Sequence, residues 1–194
     1  MLRLDLVVGP NGAGKTTFVR TIVATRVPGA TFVNADEIAR QRWPDDPKSH
    51  AYEAARIAAA TRSRLIADRH PFIAETVFSH PSKLDMIAEA HAMGFTVMLH
   101  LLLVPEELAV ARVVHRVAAG GHNVPENKIR ERHRRLWPLA VQAILLADSA
   151  TVYDSSHVKG PRIVAQFSEG VPIGGLRWPK WAPPHLRNRW QSSR

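Results

Sequence analysis

Apolar residues in this chain fall into short, nearly unbroken runs separated by longer stretches of helical period. The first run, Leu4, Leu6, Val7 and Val8, reads as a strand, and Phe18, Ile22 and Val23 predict a helix after it. Pro28-Gly29 marks a turn, and Ala30 to Val33 is a second short strand ending at Asn34-Ala35-Asp36-Glu37. Trp43 to His50, with two prolines, reads as a loop, and the breaker-free stretch Ala51 to His70 as a helix. Pro71 ends that helix, and Phe72-Ile73-Ala74 forms a buried strand leading to Glu75-Thr76. Ser79 and Pro81 then open a helix carrying Leu84, Ile87, Ala88 and His91, which Gly94 closes. Phe95 to Val104 is the most apolar run and predicts a central parallel strand, because a strand covered on both faces shows little alternation.

In the second half, Pro105-Glu106-Glu107 opens a helix that Gly120-Gly121 closes, with Arg112 and Arg116 on one face. Asn123 and Glu126 have capping-box spacing, and the helix they start runs to about Ala147, bent or divided at Pro138. Ala150 to Tyr153 predicts a further strand ending at Asp154-Ser155-Ser156, and Arg162 to Phe167 an edge strand. Beyond Gly170 the residues are Pro, Trp and Arg without period, which predicts a loosely attached tail. The alternation of strand and helix predicts an α/β fold: an open, mostly parallel five- or six-stranded sheet with helices on both faces. The expected organisation is a catalytic domain over residues 1–170 and a basic, Pro/Trp-rich tail over residues 171–194.

The chemistry begins where the first strand ends. Gly9-Pro10-Asn11-Gly12-Ala13-Gly14-Lys15-Thr16 meets the P-loop pattern G-x-x-x-x-G-K-[ST], between a predicted strand and a predicted helix. Successive backbone N–H groups and the helix dipole suit an anionic phosphate chain, so Gly9, Asn11, Gly12, Ala13, Gly14, Lys15, Thr16 and Thr17 are expected to bind ATP. Lys15 would reach the β- and γ-phosphates, and the Thr16 hydroxyl would ligate Mg²⁺.

Composition narrows the partners. The 194 residues include no cysteine, which excludes disulfides and thiolate metal sites and agrees with a cytoplasmic location. Thr96 to Val104 is interrupted by His100 and is too short to span a bilayer, and Arg3 and Asp5 interrupt any signal peptide, so no membrane association is expected. Of the net charge of +9, more than half lies in residues 177–194, which hold five Lys/Arg and no acid. A second cluster, Arg112 to Arg135, has seven Lys/Arg against Glu126 and Glu131. Such a patch serves small-molecule phosphates as well as a polymer. Aromatic residues interleave with basic ones only in the tail, where Trp178, Trp181 and Trp190 read as packed on the body, so nucleic acid is not the expected partner.

Phosphoryl transfer needs cations around the transferred group and often a carboxylate for the hydroxyl proton. Asp36 and Glu75 each follow a predicted strand at its carboxyl end, where ligands gather in open α/β sheets. Asp36 is expected to be the general base, against a helix N-cap, and Glu75 a ligand of substrate hydroxyls or an outer-shell partner of Mg²⁺, against a buried acid paired with arginine. Arg112, Arg116 and Arg130 are candidates for phosphate contact on helices flanking the Gly120-Gly121 turn, which could close as a lid bearing His122; the alternative is a solvated basic face.

The segments GPNGAGKTTF, NADEIA, FIAETVFS, RVVHRVAAGGHNVPENKIRERHRR and VYDSS resemble, in order and over roughly residues 1–160, the zeta-toxin family of P-loop kinases. The resemblance implies a compact kinase related to nucleotide and shikimate kinases, using ATP and Mg²⁺. The best-studied members phosphorylate the 3′-hydroxyl of the sugar in UDP-N-acetylglucosamine and are held inactive by a small helical antitoxin. Carried over by position, Lys15 and Thr16 hold ATP and Mg²⁺, Asp36 is the base, and Glu75 with Thr76 binds the sugar nucleotide. Arg116 and Arg130 correspond to phosphate-binding arginines, with Arg112 an alternative. Gly120-Gly121-His122 departs from the UDP-sugar kinases, which carry an arginine before the turn, so the acceptor need not be UDP-N-acetylglucosamine. The expected activity is ATP-dependent phosphorylation of a small-molecule hydroxyl, on a nucleotide sugar. The alternatives are a nucleic-acid-binding ATPase or polynucleotide kinase, and an inactive nucleotide-binding regulator.

Overall fold

A computed structural model describes residues 1–118 and 124–191. One sheet contains β1 (Arg3–Val8), β2 (Thr31–Val33), β3 (Phe72–Thr76), β4 (Thr96–Leu103), β5 (Ser149–Asp154), β6 (Arg162–Ser168) and β7 (Val171–Pro172). Their order is β2-β3-β1-β4-β5-β6-β7. The first five strands of that order run parallel, β6 pairs antiparallel with β5, and β7 pairs antiparallel with β6. The expected α/β architecture is present, with β4 at the centre. The seventh strand was not anticipated because two residues carry no period.

The central strands alternate between two buried faces. Leu4, Leu6 and Val8 of β1 join Val97, Leu99, Leu101 and Leu103 on one side, while Val7 joins Leu102 and Val104 on the other. Burial on both sides explains the unbroken apolar runs. The polar exception is Asp5, buried and bound by Arg3 through two contacts of 2.6 Å and by His100 Nε2 at 2.9 Å. Both carboxylate oxygens are thereby hydrogen-bonded, which offsets the cost of burying the charge.

Beyond the P-loop, α1 (Lys15–Phe18) widens into a π-helical segment, Val19–Val23, and ends as α2 (Ala24–Arg26). With α6 (Glu106–Ala118) these residues cover the Val7 face. The opposite face is covered by α4 (Ala51–Ala67), α5 (Ser82–Ala92) and α7 (Glu126–Leu146). α3 (Ala35–Arg42) follows β2 directly and packs against α4. Pro138 does not divide α7: it lies exposed inside the helix, while Leu136, Trp137 and Ala140 around it are buried and hold both halves on the sheet. Asn123, the first residue of the expected capping box, lies outside the described residues, and α7 starts after Pro125.

The tail is not loosely attached. α8 (Pro184–Gln191) buries Leu186, preceded by buried Ala182, and Trp178, Trp181 and Trp190 pack against the same core. Trp190 donates to the Gly170 carbonyl at 3.1 Å and lies 4.7 Å from the Phe167 ring. These residues pack singly, so no periodicity announces them. Among the described residues no helix is long and apolar enough to cross a membrane. Leu186→Ala is expected to destabilise the fold by about 2–5 kcal/mol, read as a lower urea midpoint with unchanged slope, whereas a detached tail would give less than about 0.5 kcal/mol.

Candidate functional site

The P-loop crosses the carboxyl end of β1 under tight steric control. A Cβ on Gly9 would stand 2.8 Å from the Leu102 carbonyl oxygen, and one on Gly12 would stand 2.6 Å from that of Ala109. Gly12 also has φ +76°, a conformation side-chain-bearing residues rarely adopt. These glycines let the loop lie directly on β4 and α6, where Asn11, Gly12, Gly14, Lys15 and Thr16 line a cavity of about 890 Å³.

Lys15 is buried at the base of that cavity and donates through Nζ to the Pro10 carbonyl at 2.9 Å. Burial pulls its pKa down, opposed by the charges of Glu75 and Asp36 and reinforced by those of Arg116 and Arg132. The Thr16 hydroxyl lies 2.9 and 3.1 Å from the two carboxylate oxygens of Glu75. Asn34 Nδ2 also donates to Glu75, at 2.6 Å. Burial raises the Glu75 pKa against the opposing effects of Lys15, Thr16 and Asn34. The hydrogen-bond partners of the Glu75 carboxylate are thus the P-loop threonine and Asn34.

Asn34, not Asp36, caps α3. Its Oδ1 accepts from the backbone N–H groups of Asp36 and Glu37 at 2.7 and 3.2 Å, which leaves the exposed Asp36 carboxylate on the cavity wall without a capping role. Thr76 lines the same wall, its hydroxyl accepting from the Phe78 N–H at 3.2 Å. Thr16 and Glu75 would suit Mg²⁺, which takes few protein ligands and completes its shell with phosphate and water oxygens. Among the described residues no three His, Asp or Glu side chains cluster as a metal site of their own.

The three arginines separate. Arg112 lines the cavity but braces it, donating to the Ser155 carbonyl at 2.9 Å and, at 3.4 Å, to those of Gly12 and Ser156. Ser155 completes the brace by donating from Oγ to the Ala13 carbonyl at 2.8 Å. Arg116 stands on the cavity wall. Arg130 does not line the cavity; it is bound by Glu106, Glu107 and Glu126 and ties α7 to the start of α6. The residues α7 presents to the cavity are Lys128 and Arg132. The buried stripe Ile129, His133, Leu136 and Ala140 fixes this phase, since Arg130 lies about 200° round the helix from Lys128. That stripe was visible in the sequence. Gly120, Gly121 and His122, the expected lid turn, lie outside the described residues.

Sequence reasoning also missed Arg20, Arg40, Lys48, Arg62 and Lys83, scattered over five segments and brought together only by the fold. Among the described residues the cavity walls carry ten Lys/Arg side chains against two carboxylates, Asp36 and Glu75. Such a site is built for anions carrying several charges.

No curated protein matches the chain. Among solved structures it is similar to a chain of the AvrRxo1-ORF1:ORF2 complex with ATP, at 15% identity and TM-score 0.68 over 88% of this chain and 60% of that one. This chain therefore spans less than two thirds of that relative. It is similar to a chain of the PezAT chromosomal toxin-antitoxin system of Streptococcus pneumoniae, at 15% identity and TM-score 0.64 over 96% of this chain and 82% of that one. Shikimate kinase from Acinetobacter baumannii, in complex with shikimate, matches at 20% identity and TM-score 0.51 over 76% and 81%. At these identities the likeness is one of fold. A family model described as an AAA domain (AAA_33) matches residues 4–139, with the P-loop and both cavity carboxylates inside the match, and the chain belongs to that family.

Proposed function

We propose that the protein is an ATP-dependent phosphotransferase of the zeta-toxin type, moving the γ-phosphoryl group of ATP to a hydroxyl of a small molecule, a nucleotide sugar such as UDP-N-acetylglucosamine. The observation that carries this reading is Asp36, a carboxylate released from capping duty by Asn34 and held on the same cavity wall as Lys15. A site for hydrolysis or switching needs the P-loop; a site for transfer also needs a group for the acceptor's proton.

In this reading the P-loop N–H groups and Lys15 hold the donor phosphates, and Lys15 exchanges the Pro10 carbonyl for phosphate oxygen. Asp36 takes the acceptor hydroxyl proton as that oxygen bonds to the γ-phosphorus and the β–γ bridging bond breaks, releasing ADP. Arg116 and Arg132 face the charge on the transferred group. Thr16, with Glu75 behind it, would hold Mg²⁺, which supplies charge neutralisation across the β- and γ-phosphates when bound. Arg112 contributes by fixing the loop. Arg130 enters as an organiser of α6 and α7 rather than a phosphate contact.

We assign the kinase unit to residues 1–170 and the basic tail to residues 171–194, and a cytoplasmic location. The likeness to a chain from a toxin-antitoxin system supports a small antitoxin as partner.

Incubation with ATP, Mg²⁺ and a panel of nucleotide sugars should yield an acceptor heavier by one phosphate; ADP release without any such product sinks the transfer reading. Lys15→Ala should abolish the product. Asp36→Asn should keep ATP affinity and lose about 10²–10⁴-fold in kcat, and near-normal turnover would remove Asp36 as base. Arg132→Ala should lower kcat/KM by about tenfold or more, as loss of a charge-assisted phosphate contact does. Arg130→Ala should instead lower thermal stability while leaving the ATP KM close to wild type, and the opposite ranking would restore Arg130 to the phosphates.

A further inference from the structure

Arg62 sits on α4, in sequence far from the P-loop. Only 7% of its surface is exposed, yet it lines the cavity. Among the described residues it makes no hydrogen bond and no ion pair, and burial disfavours its charge. Its electrostatic neighbour is another cation: Lys83 on α5, half-buried on the same wall, whose pKa is lowered first by burial and then by Arg62. Among the described residues neither cation pairs with a carboxylate, and two such charges lining one cavity wall are a costly arrangement in the empty protein. The stripe Ala51, Ala55 and Ala58 leads along α4 to Arg62, leaving room over the helix where larger side chains would fill the cavity.

This pair is separate from the cations around the donor site. The charges acting on Lys15 are those of Glu75, Asp36, Arg116 and Arg132, whereas Lys83 feels Arg62. Arg62 and Lys83 reach the cavity from α4 and α5, whereas Lys15, Glu75 and Asp36 reach it from the P-loop, β3 and α3. A nucleotide on the P-loop satisfies the groups around Lys15 and leaves Arg62 and Lys83 unbalanced.

We infer that Arg62 and Lys83 form a second oxyanion seat, so that the acceptor carries a phosphate or carboxylate group on a part of the molecule other than the hydroxyl that reacts. The seat rests on the phosphotransferase reading for its role, and it deepens that reading by excluding neutral acceptors as preferred substrates. Arg62 supplies the planar fork that fits two oxygens of one anion, and Lys83 a point charge beside it. The body of the acceptor lies along the alanine stripe, and its hydroxyl faces Asp36.

The test fills the P-loop with a non-hydrolysable ATP analogue and Mg²⁺, then titrates inorganic pyrophosphate by calorimetry. The wild type should bind it, and Arg62→Ala and Lys83→Ala should each weaken binding about tenfold or more, with Arg62→Lys recovering part of the loss. Arg62→Met, which removes the unbalanced charge and keeps the chain length, should melt higher than wild type without ligand and should no longer be stabilised by pyrophosphate. This variant guards against loss of binding through misfolding. In turnover, Arg62→Ala should raise the KM for N-acetylglucosamine 1-phosphate or UDP-N-acetylglucosamine and leave the ATP KM unchanged. The same comparison with shikimate distinguishes a carboxylate from a phosphate as the natural anion. Pyrophosphate binding equal in wild type and both alanine variants, or efficient transfer to neutral N-acetylglucosamine that Arg62→Ala does not alter, overturns the seat while the kinase reading stands. Arg62-dependent binding with no transfer to any acceptor keeps the seat and removes the kinase reading.

Discussion

The site depends on one steric fact, the contact of the P-loop backbone with the carbonyl of Ala109. Because Gly12 offers no Cβ, the loop rests on the first turns of α6, and the same helix sends Arg112 back to the Gly12, Ser155 and Ser156 carbonyls. Loop, helix and the end of β5 therefore hold one another, with Ser155 bonded to Ala13 from the far side. The geometry of the phosphate cradle is a packing property of the fold rather than of nine loop residues. An insertion at the end of β5 would reach the cradle as directly as one within it.

The second organising feature is the imbalance of charge in the cavity. Among the described residues ten basic side chains face two acids, and two of the bases, Lys15 and Arg62, are buried, so the empty protein holds mutual repulsion that anions relieve. Stability and ligand binding are coupled in such a site: any multiply charged occupant stabilises the native state by an amount that grows with the logarithm of its concentration over its dissociation constant. Asp36 and Glu75 keep this field from collapsing into a uniform anion trap. Glu75 is occupied by Thr16 and Asn34, so the carboxylate with freedom to act is Asp36.

Much of this was legible in the sequence, and the rest was hidden for physical reasons. Strand ends announce themselves through apolar runs, so the loop at Gly9, the acid at Asp36 and the Glu75-Thr76 pair could be placed at one edge of the sheet before any coordinates. Helix phase is harder to read where charges crowd, and Arg130 and Arg132 differ only in which side of the Ile129–His133 stripe they flank. Arg62 and Lys83 gave no local signal, because their meaning lies in the absence of partners, which a linear sequence does not display. In the tail the tryptophans pack on the body as their sequence context predicts, whereas Leu186 and α8 were missed because aperiodic packing looks like disorder when only period is read.

The bond from Lys15 to the Pro10 carbonyl has a consequence for what the cradle will admit. An ammonium that already has a good acceptor within its own loop gives it up only to a guest that offers more. Chloride, acetate and other monovalent ions of the cell bring one diffuse charge and few aligned acceptors, so the exchange gains them little. A polyphosphate brings several oxygens at once and satisfies the loop amides in the same event. The Lys15–Pro10 bond is thus the level that any single diffuse charge has to exceed, and a guest with several oxygens exceeds it most readily.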